Sequence, residues 1–284
     1  MVVRDLPKVR MLVLETDETL PETQKDKGHF GQVLHHHFSK AGLNHDPPLG
    51  VETDRRFVVA DKGGKVPAYD EVKDYHAILM TGSCFDAHSD NPWIIELMNL
   101  LREIWLRNPQ CKLSGVCFGH QLLCRLFGSA VAPEPSGKWE LGHTKIDLTA
   151  VGQQLFDVPE TPYVYLHQMH QDHVTSPPTP ESSGGLLAKD RKVHVWGSTP
   201  HTAVQGIFIE DRVFTTQAHL AFDEDMVHRE IQVRVDGGGI KDLEHANRAK
   251  ETAHLKHDGD VVAAAILRFF HGEDSKAVEE AKKK

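Results

Sequence analysis

The feature that most constrains this chain is a short segment in which a strand pattern meets a helix pattern at a cysteine. The run Lys112–Val116 predicts a strand, and Gln121–Phe127 is apolar at helical spacing. Between them, Cys117 is flanked by Gly115 and Gly119, and glycines allow a sharp turn that other residues adopt only with strain. The cysteine therefore stands at a helix N-terminus, where the partial positive charge favours thiolate over thiol.

The same turn gives Cys117 the surroundings of a nucleophile. The backbone N–H of Phe118 is free to face a developing oxyanion. The alternative is a core residue, because free cysteines are among the most buried residue types and most are chemically inert. The glycines favour the catalytic interpretation, since we expect them to serve the turn and not the packing.

Composition limits the partners and the compartment. The chain has 284 residues, 39% hydrophobic and 26% charged, as is typical of a globular protein. Its net charge of −9 argues against a nucleic acid or an anionic membrane as the main partner. No apolar run approaches membrane-spanning length, and residues 1–7 lack a signal-peptide core. Because the four cysteines show neither a disulfide framework nor a paired zinc pattern, we expect a cytoplasmic location.

The remaining patterns predict an α/β chain that begins with alternating strands and helices and ends with helices. In the first half, strands are expected at Val9–Glu15, Phe57–Ala60 and Asp74–Met80, helices at Phe30–Ala41 and Pro92–Arg107, and a polar loop at Thr16–Lys27. In the second half, a hairpin is expected from Thr202–Ile209 and Val213–Gln217. A helical C-terminal extension is expected over about 224–272, followed by a charged tail at 273–284.

The segment Gly115–Gln121 resembles the G-x-C-x-G-x-Q signature of class I (triad) glutamine amidotransferases. Two later segments are also similar to that family: Trp139–Thr149 to its W-E-x-G…I-x-L-T pattern and His170–Val174 to its H-x-D-x-V pattern. The resemblance is to a stand-alone GMP-synthase-like glutaminase domain. It implies a flavodoxin-like three-layer α/β sandwich with a mostly parallel central sheet and an added antiparallel region. Because the sequence has no internal repeat and no Pro/Ser-rich linker, we expect residues 1–284 to form a single domain.

The resemblance also implies a cysteine–histidine active site. Cys117 matches the family's nucleophile. The base lies in the family's Q-x-H-P-E motif, which matches Gln217–Ala221 here and assigns the role to His219. The backbone N–H groups of Gly82 and Phe118 match the two oxyanion donors.

Three further residues match the positions that line the family's substrate pocket: Gln121, Met169 and His170. His167, His170 and His173 could instead form a metal site, but no second ligand cluster supports it, so we favour pocket lining. We expect neither a metal nor a cofactor.

The sequence departs from the family at the third member of the triad. The family's glutamate, two residues after the histidine, is replaced by Ala221, which can neither orient the imidazole nor stabilise its charged form. Asp223 lies nearby and is the candidate substitute acid. Because a cysteine–histidine pair depends less on this carboxylate than a serine triad does, we expect weakened activity rather than none.

Three functions fit these observations. The leading one is a cysteine-dependent hydrolase of the γ-glutamyl amide bond, acting on glutamine or on another γ-glutamyl compound. Ammonia released from glutamine would pass to an acceptor partner protein. The second is a degraded relative that acts as a binding or regulatory module, for which Ala221 is the main support. The third is a relative of the stress-response chaperones and deglycases, which also carry a cysteine at a strand–helix turn, but the distant His219 favours the amidotransferase side.

Overall fold

A computed structural model describes residues 6–273, so the predicted tail lies outside the described residues from position 274 onward. The strands are β1 Lys8–Glu15, β2 Gly50–Phe57, β3 Ala77–Met80, β4 Lys112–Val116, β5 Val131–Pro133, β6 Glu140–Leu148, β7 Tyr163–His170, β8 Asp172–Val174, β9 His194–Ser198, β10 Gly206–Ile209 and β11 Val213–Thr216. The helices are α1 Pro21–Lys27, α2 Phe30–Leu43, α3 Tyr69–Val72, α4 Pro92–Arg107, α5 Phe118–Leu126, α6 Ala150–Leu155, α7 Glu224–Asp236, α8 Leu243–Glu251 and α9 Gly259–His271. None of the helices in residues 6–273 combines the length and the apolar character needed to cross a lipid bilayer.

A nine-stranded sheet in the order β2-β1-β3-β4-β11-β10-β9-β6-β7 runs through the centre of the described chain. Strands β2, β1, β3, β4 and β11 are parallel, and β10, β9, β6 and β7 continue the sheet in antiparallel pairs. The predicted sandwich, with a parallel sheet and an added antiparallel region, is confirmed. Its register sets Thr216 at the end of β11 beside Val116 at the end of β4. The residues that follow these two strands therefore emerge at the same edge of the sheet.

Apolar side chains cover both faces of the sheet and define the three layers. On one face, α4 and α5 bury a cluster that includes Trp93 and Leu123. On the other face, α2, α6 and α9 bury a second cluster that includes Phe38 and Phe269. Fully burying one such side chain contributes roughly 1.5–3 kcal/mol. The predicted C-terminal extension thus ends in a helix, α9, that belongs to the core of the fold.

Most predicted elements occur with small shifts at their ends, and α4 and the β10–β11 hairpin are confirmed. The predicted strand at Phe57–Ala60 is wrong, because β2 lies before it, at Gly50–Phe57. This edge strand carries charged side chains, and Glu52 and Asp54 pair with Lys8 and Arg10 on β1. Charged edges protect a sheet from pairing with other chains but remove the apolar signal that identifies a strand. The polar loop predicted before α2 is also partly wrong, since it contains α1.

Candidate active site

Cys117 connects β4 directly to α5, with no other residue between them. Its backbone has φ 50° and ψ −103°, a conformation that non-glycine residues rarely adopt. The Cys117 N–H donates to the Thr216 carbonyl oxygen at 2.8 Å, which anchors the turn to β11. A nucleophile on a strained strand-to-helix turn is raised above the end of the sheet.

The glycines around Cys117 are required by packing. A Cβ on Gly115 would lie 2.3 Å from the Gly119 carbonyl carbon, and a Cβ on Gly119 would lie 2.7 Å from the Met80 carbonyl oxygen. Such distances leave no room for a side chain between β3, β4 and α5. The expectation that these glycines serve the turn and not the packing is therefore wrong, because the cysteine itself adopts the positive φ.

Cys117, His219 and Gly82 lie together at this edge of the sheet. A Cβ placed on Gly82 would lie 2.9 Å from His219 Cε1 and 3.5 Å from Cys117 Cβ. The His219 N–H donates to the His167 carbonyl oxygen at 2.8 Å, which fixes the segment after β11 against β7. The three residues and Met169 line one cavity of about 210 Å³.

The two predicted oxyanion donors flank the sulfur. The Gly82 N–H has no acceptor among residues 6–273, and the Thr16 hydroxyl donates to the Gly82 carbonyl oxygen at 3.1 Å, which holds this loop against the end of β1. The Phe118 N–H interacts with the Cys117 thiol and lowers its pKa, although burial raises that pKa by more. Both N–H groups thus lie beside the Cys117 sulfur, as donors for a developing oxyanion would have to.

The His219 imidazole is held by an aromatic ring. It stacks on Phe222 with ring centroids 3.9 Å apart and an interplanar angle of 19°. Neither ring nitrogen has a hydrogen-bond partner in the described part of the chain. The Asp223 carboxylate accepts from the Met226 N–H at 3.1 Å, which caps α7, and it also pairs with Lys27. The proposed substitute acid is therefore engaged away from the imidazole.

Of the three predicted substrate contacts, Met169 lines the cavity, whereas Gln121 and His170 do not. The Gln121 side-chain amide donates to the Asp172 carbonyl oxygen at 2.8 Å and to the Gln217 side chain at 3.1 Å. The first bond connects α5 to β8, and the second connects it to the segment that carries His219. Gln121 therefore holds β8 and the segment before His219 in place without lining the cavity itself.

His170 belongs to a buried polar cluster. Its Nδ1 lies 2.9 Å from the Asp172 carbonyl oxygen, and its Nε2 lies 2.9 Å from a Glu140 carboxylate oxygen. Glu140, His170 and His201 each offer one ligand atom within 4.8 Å of the others, so these are the residues that could hold a metal ion. Glu140 also accepts from Thr199 and Gln205, which gives the carboxylate protein partners without an ion.

Burial dominates the electrostatics of the reactive pair. It raises the pKa of Cys117 to about 12 and lowers the pKa of His219 to about 3. At neutral pH the unliganded protein therefore holds a neutral thiol beside a neutral imidazole. The expected thiolate is wrong for this state, because desolvation of the buried sulfur outweighs the helix N-terminus.

The individual charged residues of the cavity wall were not predicted from the sequence, although Asp17 lies in the predicted polar loop. They include Asp17 and Lys62, which form an ion pair at 2.7 Å, and Glu230 and Arg234, which pair on α7. These residues come from three distant segments. Only the four-residue spacing of Glu230 and Arg234 gives a sequence signal, and that spacing is common on exposed helices.

Comparisons with known proteins were made by sequence and by structure. No family model matches the sequence. A glutamine amidotransferase-like protein of Schizosaccharomyces pombe is 27% identical over 203 residues, which cover 72% of this chain and 75% of that protein. The crystal structure of a glutamine amidotransferase from Thermotoga maritima matches with a TM-score of 0.61 at 16% identity, over 92% of this chain and 98% of that one. The chain is thus similar in sequence to a protein named as glutamine amidotransferase-like, and its fold matches that of a solved glutamine amidotransferase. Another relative, γ-glutamyl peptidase 4 of Arabidopsis thaliana, is 29% identical over 197 residues, which cover 68% of this chain and 72% of the peptidase.

Proposed function

We propose that this chain, acting as a single domain, hydrolyses the γ-glutamyl amide bond of glutamine or of another γ-glutamyl compound. The observation that carries the proposal is the cavity of about 210 Å³ that Cys117 and His219 line together around Gly82. Relatives named as glutamine amidotransferase-like proteins and as γ-glutamyl peptidases support the same chemistry.

The reaction proceeds through a thioester. Cys117 Sγ attacks the γ-carbonyl carbon while the thiol proton passes to His219, and the backbone N–H groups of Gly82 and Phe118 stabilise the resulting oxyanion. The carbon–nitrogen bond then breaks, and His219 returns the proton to the departing amine or ammonia. Water attacks the thioester, His219 takes a proton from that water, and the thiol is restored as glutamate leaves.

Because the Cys117 thiol and the His219 imidazole are both neutral before the reaction, the mechanism requires another source of stabilisation for the charge that develops. Proton transfer from a thiol with a pKa of about 12 to an imidazole with a pKa of about 3 is uphill in the unliganded protein. The oxyanion donors must therefore stabilise the negative charge as the sulfur attacks, and donors already aimed at that charge do so without reorganisation.

A glutamine-mimicking diazo-ketone tests the nucleophile, and a panel of γ-glutamyl compounds tests the activity. We expect mass to be added on Cys117, no such mass in Cys117→Ala, and glutamate release from at least one compound of the panel. If glutamine is the substrate, the released ammonia passes to an acceptor protein, whereas a γ-glutamyl peptide requires no acceptor.

The second candidate function is a binding or regulatory module. It is favoured by Ala221, which leaves the His219 imidazole without a carboxylate partner in residues 6–273. Binding of γ-glutamyl compounds with neither labelling of Cys117 nor glutamate release would establish this alternative over hydrolysis.

Substituting Ala221→Glu is expected to raise turnover. Ala221 borders a cavity of about 20 Å³ that it shares with His219 and a polar cavity of about 610 Å³, so a longer side chain has room. A carboxylate beside His219 raises the imidazole pKa from about 3, and each unit regained corresponds to roughly a tenfold stabilisation of the imidazolium. The acid limb of the kcat/KM profile should move to higher pH, because the imidazole must be neutral to act as a base.

The isosteric Ala221→Gln variant is the matched control, since it fills the same space without charge. We expect no shift of the acid limb in that variant. An equal gain in both variants, or no gain in either, would mean that a missing carboxylate does not limit the rate.

A further inference from the structure

We propose that Arg234 on α7 binds a carboxylate of the leaving group, so that the substrates are γ-glutamyl peptides whose departing amine carries a carboxylate. The inference rests on the proposed function and goes beyond it, because it selects peptides over glutamine and assigns the selection to one side chain. Glutamine releases ammonia, which offers Arg234 nothing to bind.

The first support is position. Glu230, Val233 and Arg234 on α7 line the same cavity as Cys117 and His219. The chain reaches α7 directly from the segment that carries the base. The helix therefore forms part of the wall of the cavity that Cys117 and His219 line.

The second support is the set of unused donors on Arg234. Its Nη1 donates to the Glu230 carbonyl oxygen at 3.1 Å and pairs with the Glu230 carboxylate. Its Nε and Nη2 groups make no hydrogen bond to any residue of the described chain, and the side chain is 21% exposed. A guanidinium presents its N–H groups as a planar fork that matches a carboxylate, so the free edge fits such a ligand.

The third support is charge. The positive charge of Arg234 lowers the pKa of the Cys117 thiol and of the His219 imidazole, although burial is the larger cause at both sites. The guanidinium is therefore within electrostatic reach of both reacting groups. A substrate that bridges Cys117 and His219 lies within reach of the same charge.

The choice between the two ends of the substrate follows from the chemistry. His219 protonates the departing amine, so the leaving group lies beside His219. The His219 ring stacks on Phe222, and α7 begins two residues later at Glu224, so this helix starts next to the base. The other charged pair, Asp17 and Lys62, is tied to the loop that carries Gly82, since the Cys84 N–H donates to Asp17 at 2.7 Å. The geometry thus assigns Arg234 to the leaving group.

Binding to the Cys117→Ala protein, in which turnover is blocked, tests the inference by calorimetry. The ligands are γ-glutamyl-alanine, its C-terminal amide and glutamine. We expect the free acid to bind about 10- to 100-fold more tightly than the amide, as a charge-assisted contact provides. Adding Arg234→Gln should remove that difference and leave glutamine binding unchanged, and Arg234→Lys should retain part of it.

Arg248→Gln is the matched control. Arg248 pairs with Glu244 four residues earlier on α8, in the same arrangement as on α7, but it is exposed and does not line the cavity. This variant should keep the full preference for the free acid. Circular dichroism of all the variants checks that the fold is retained.

Two results would overturn the inference. One is equal binding of the free acid and the amide by the Cys117→Ala protein. The other is a loss of glutamine affinity in Arg234→Gln as large as the loss for the dipeptide, which would assign Arg234 to the glutamyl end. Failure of the proposed function would be seen separately, as no glutamate release by the protein with Cys117 intact. In that case, tighter binding of the free acid than of the amide would still support the assignment of Arg234.

Discussion

Replacing Cys117 by alanine is expected to lower the rate of glutamate release from γ-glutamyl substrates by about 10⁴-fold or more. The substitution removes the sulfur atom of the proposed thioester and leaves the neighbouring Gly82 and Phe118 N–H groups in place. Alanine carries the same Cβ as cysteine, so the positive φ of the turn is no harder to adopt. Steady-state kinetics and thermal unfolding measured together should show that turnover is lost while the fold is kept.

Cys84→Ala is the control, because Cys84 lines the same cavity. Burial and the neighbouring Asp17 raise the pKa of Cys84 to about 11, so this thiol is protonated at neutral pH, as that of Cys117 is. Cys84 differs from Cys117 because it does not stand at the N-terminus of α5 beside the Phe118 N–H. The variant should keep its turnover within about twofold, because Cys84 is exposed, takes no part in the proposed chemistry, and surface substitutions usually change stability by no more than about 0.5 kcal/mol. Loss of activity in Cys84→Ala with retention in Cys117→Ala would move the nucleophile to the other sulfur.

Gly82→Ala is expected to reduce kcat by about 10²-fold with little loss of stability. The added Cβ would lie 2.9 Å from His219 Cε1, closer than real Cβ contacts occur, and 3.5 Å from Cys117 Cβ. The imidazole must therefore move relative to the sulfur, and a misplacement of about 1 Å can cost that much in rate. The backbone of Gly82 does not have a left-handed φ, so alanine adds no backbone strain.

The matched control is Gly50→Ala on the edge strand β2, where the added Cβ would meet the flexible Lys8 side chain at 3.0 Å. Its kcat should equal that of the unsubstituted protein. Chemical denaturation of both variants separates a local steric effect from a general loss of folding. A Gly82→Ala variant with full kcat would show that the spacing of the Cys117–His219 pair is not critical.

Much of the fold and part of the site follow from local patterns in the sequence. The β4–Cys117–α5 unit is predictable because strand, turn and helix signals lie side by side, and the resemblance at Gln217 led to His219 in the same cavity. The protonation state of Cys117 could not be predicted, because it depends on how deeply the completed fold buries the sulfur. Two further features of the site could not be predicted: the stacking of Phe222 on His219 and the position of Arg234 on the cavity wall. Both depend on how α7 packs against the rest of the fold, and the periodicity of the sequence gives no information about that packing.

The position of β11 beside β4 determines how early in synthesis and folding Cys117 and His219 can come together. This strand inserts between β4 and β10, and α9, still further along the chain, closes the apolar layer beneath them. During synthesis on a ribosome, the cysteine therefore emerges long before its histidine and before the helix that completes the core. The pairing is between residues far apart in sequence, a class of contact that forms slowly. The nascent polypeptide thus carries Cys117 without His219 until β11 and the residues after it have been made, and the apolar layer is completed only when α9 follows.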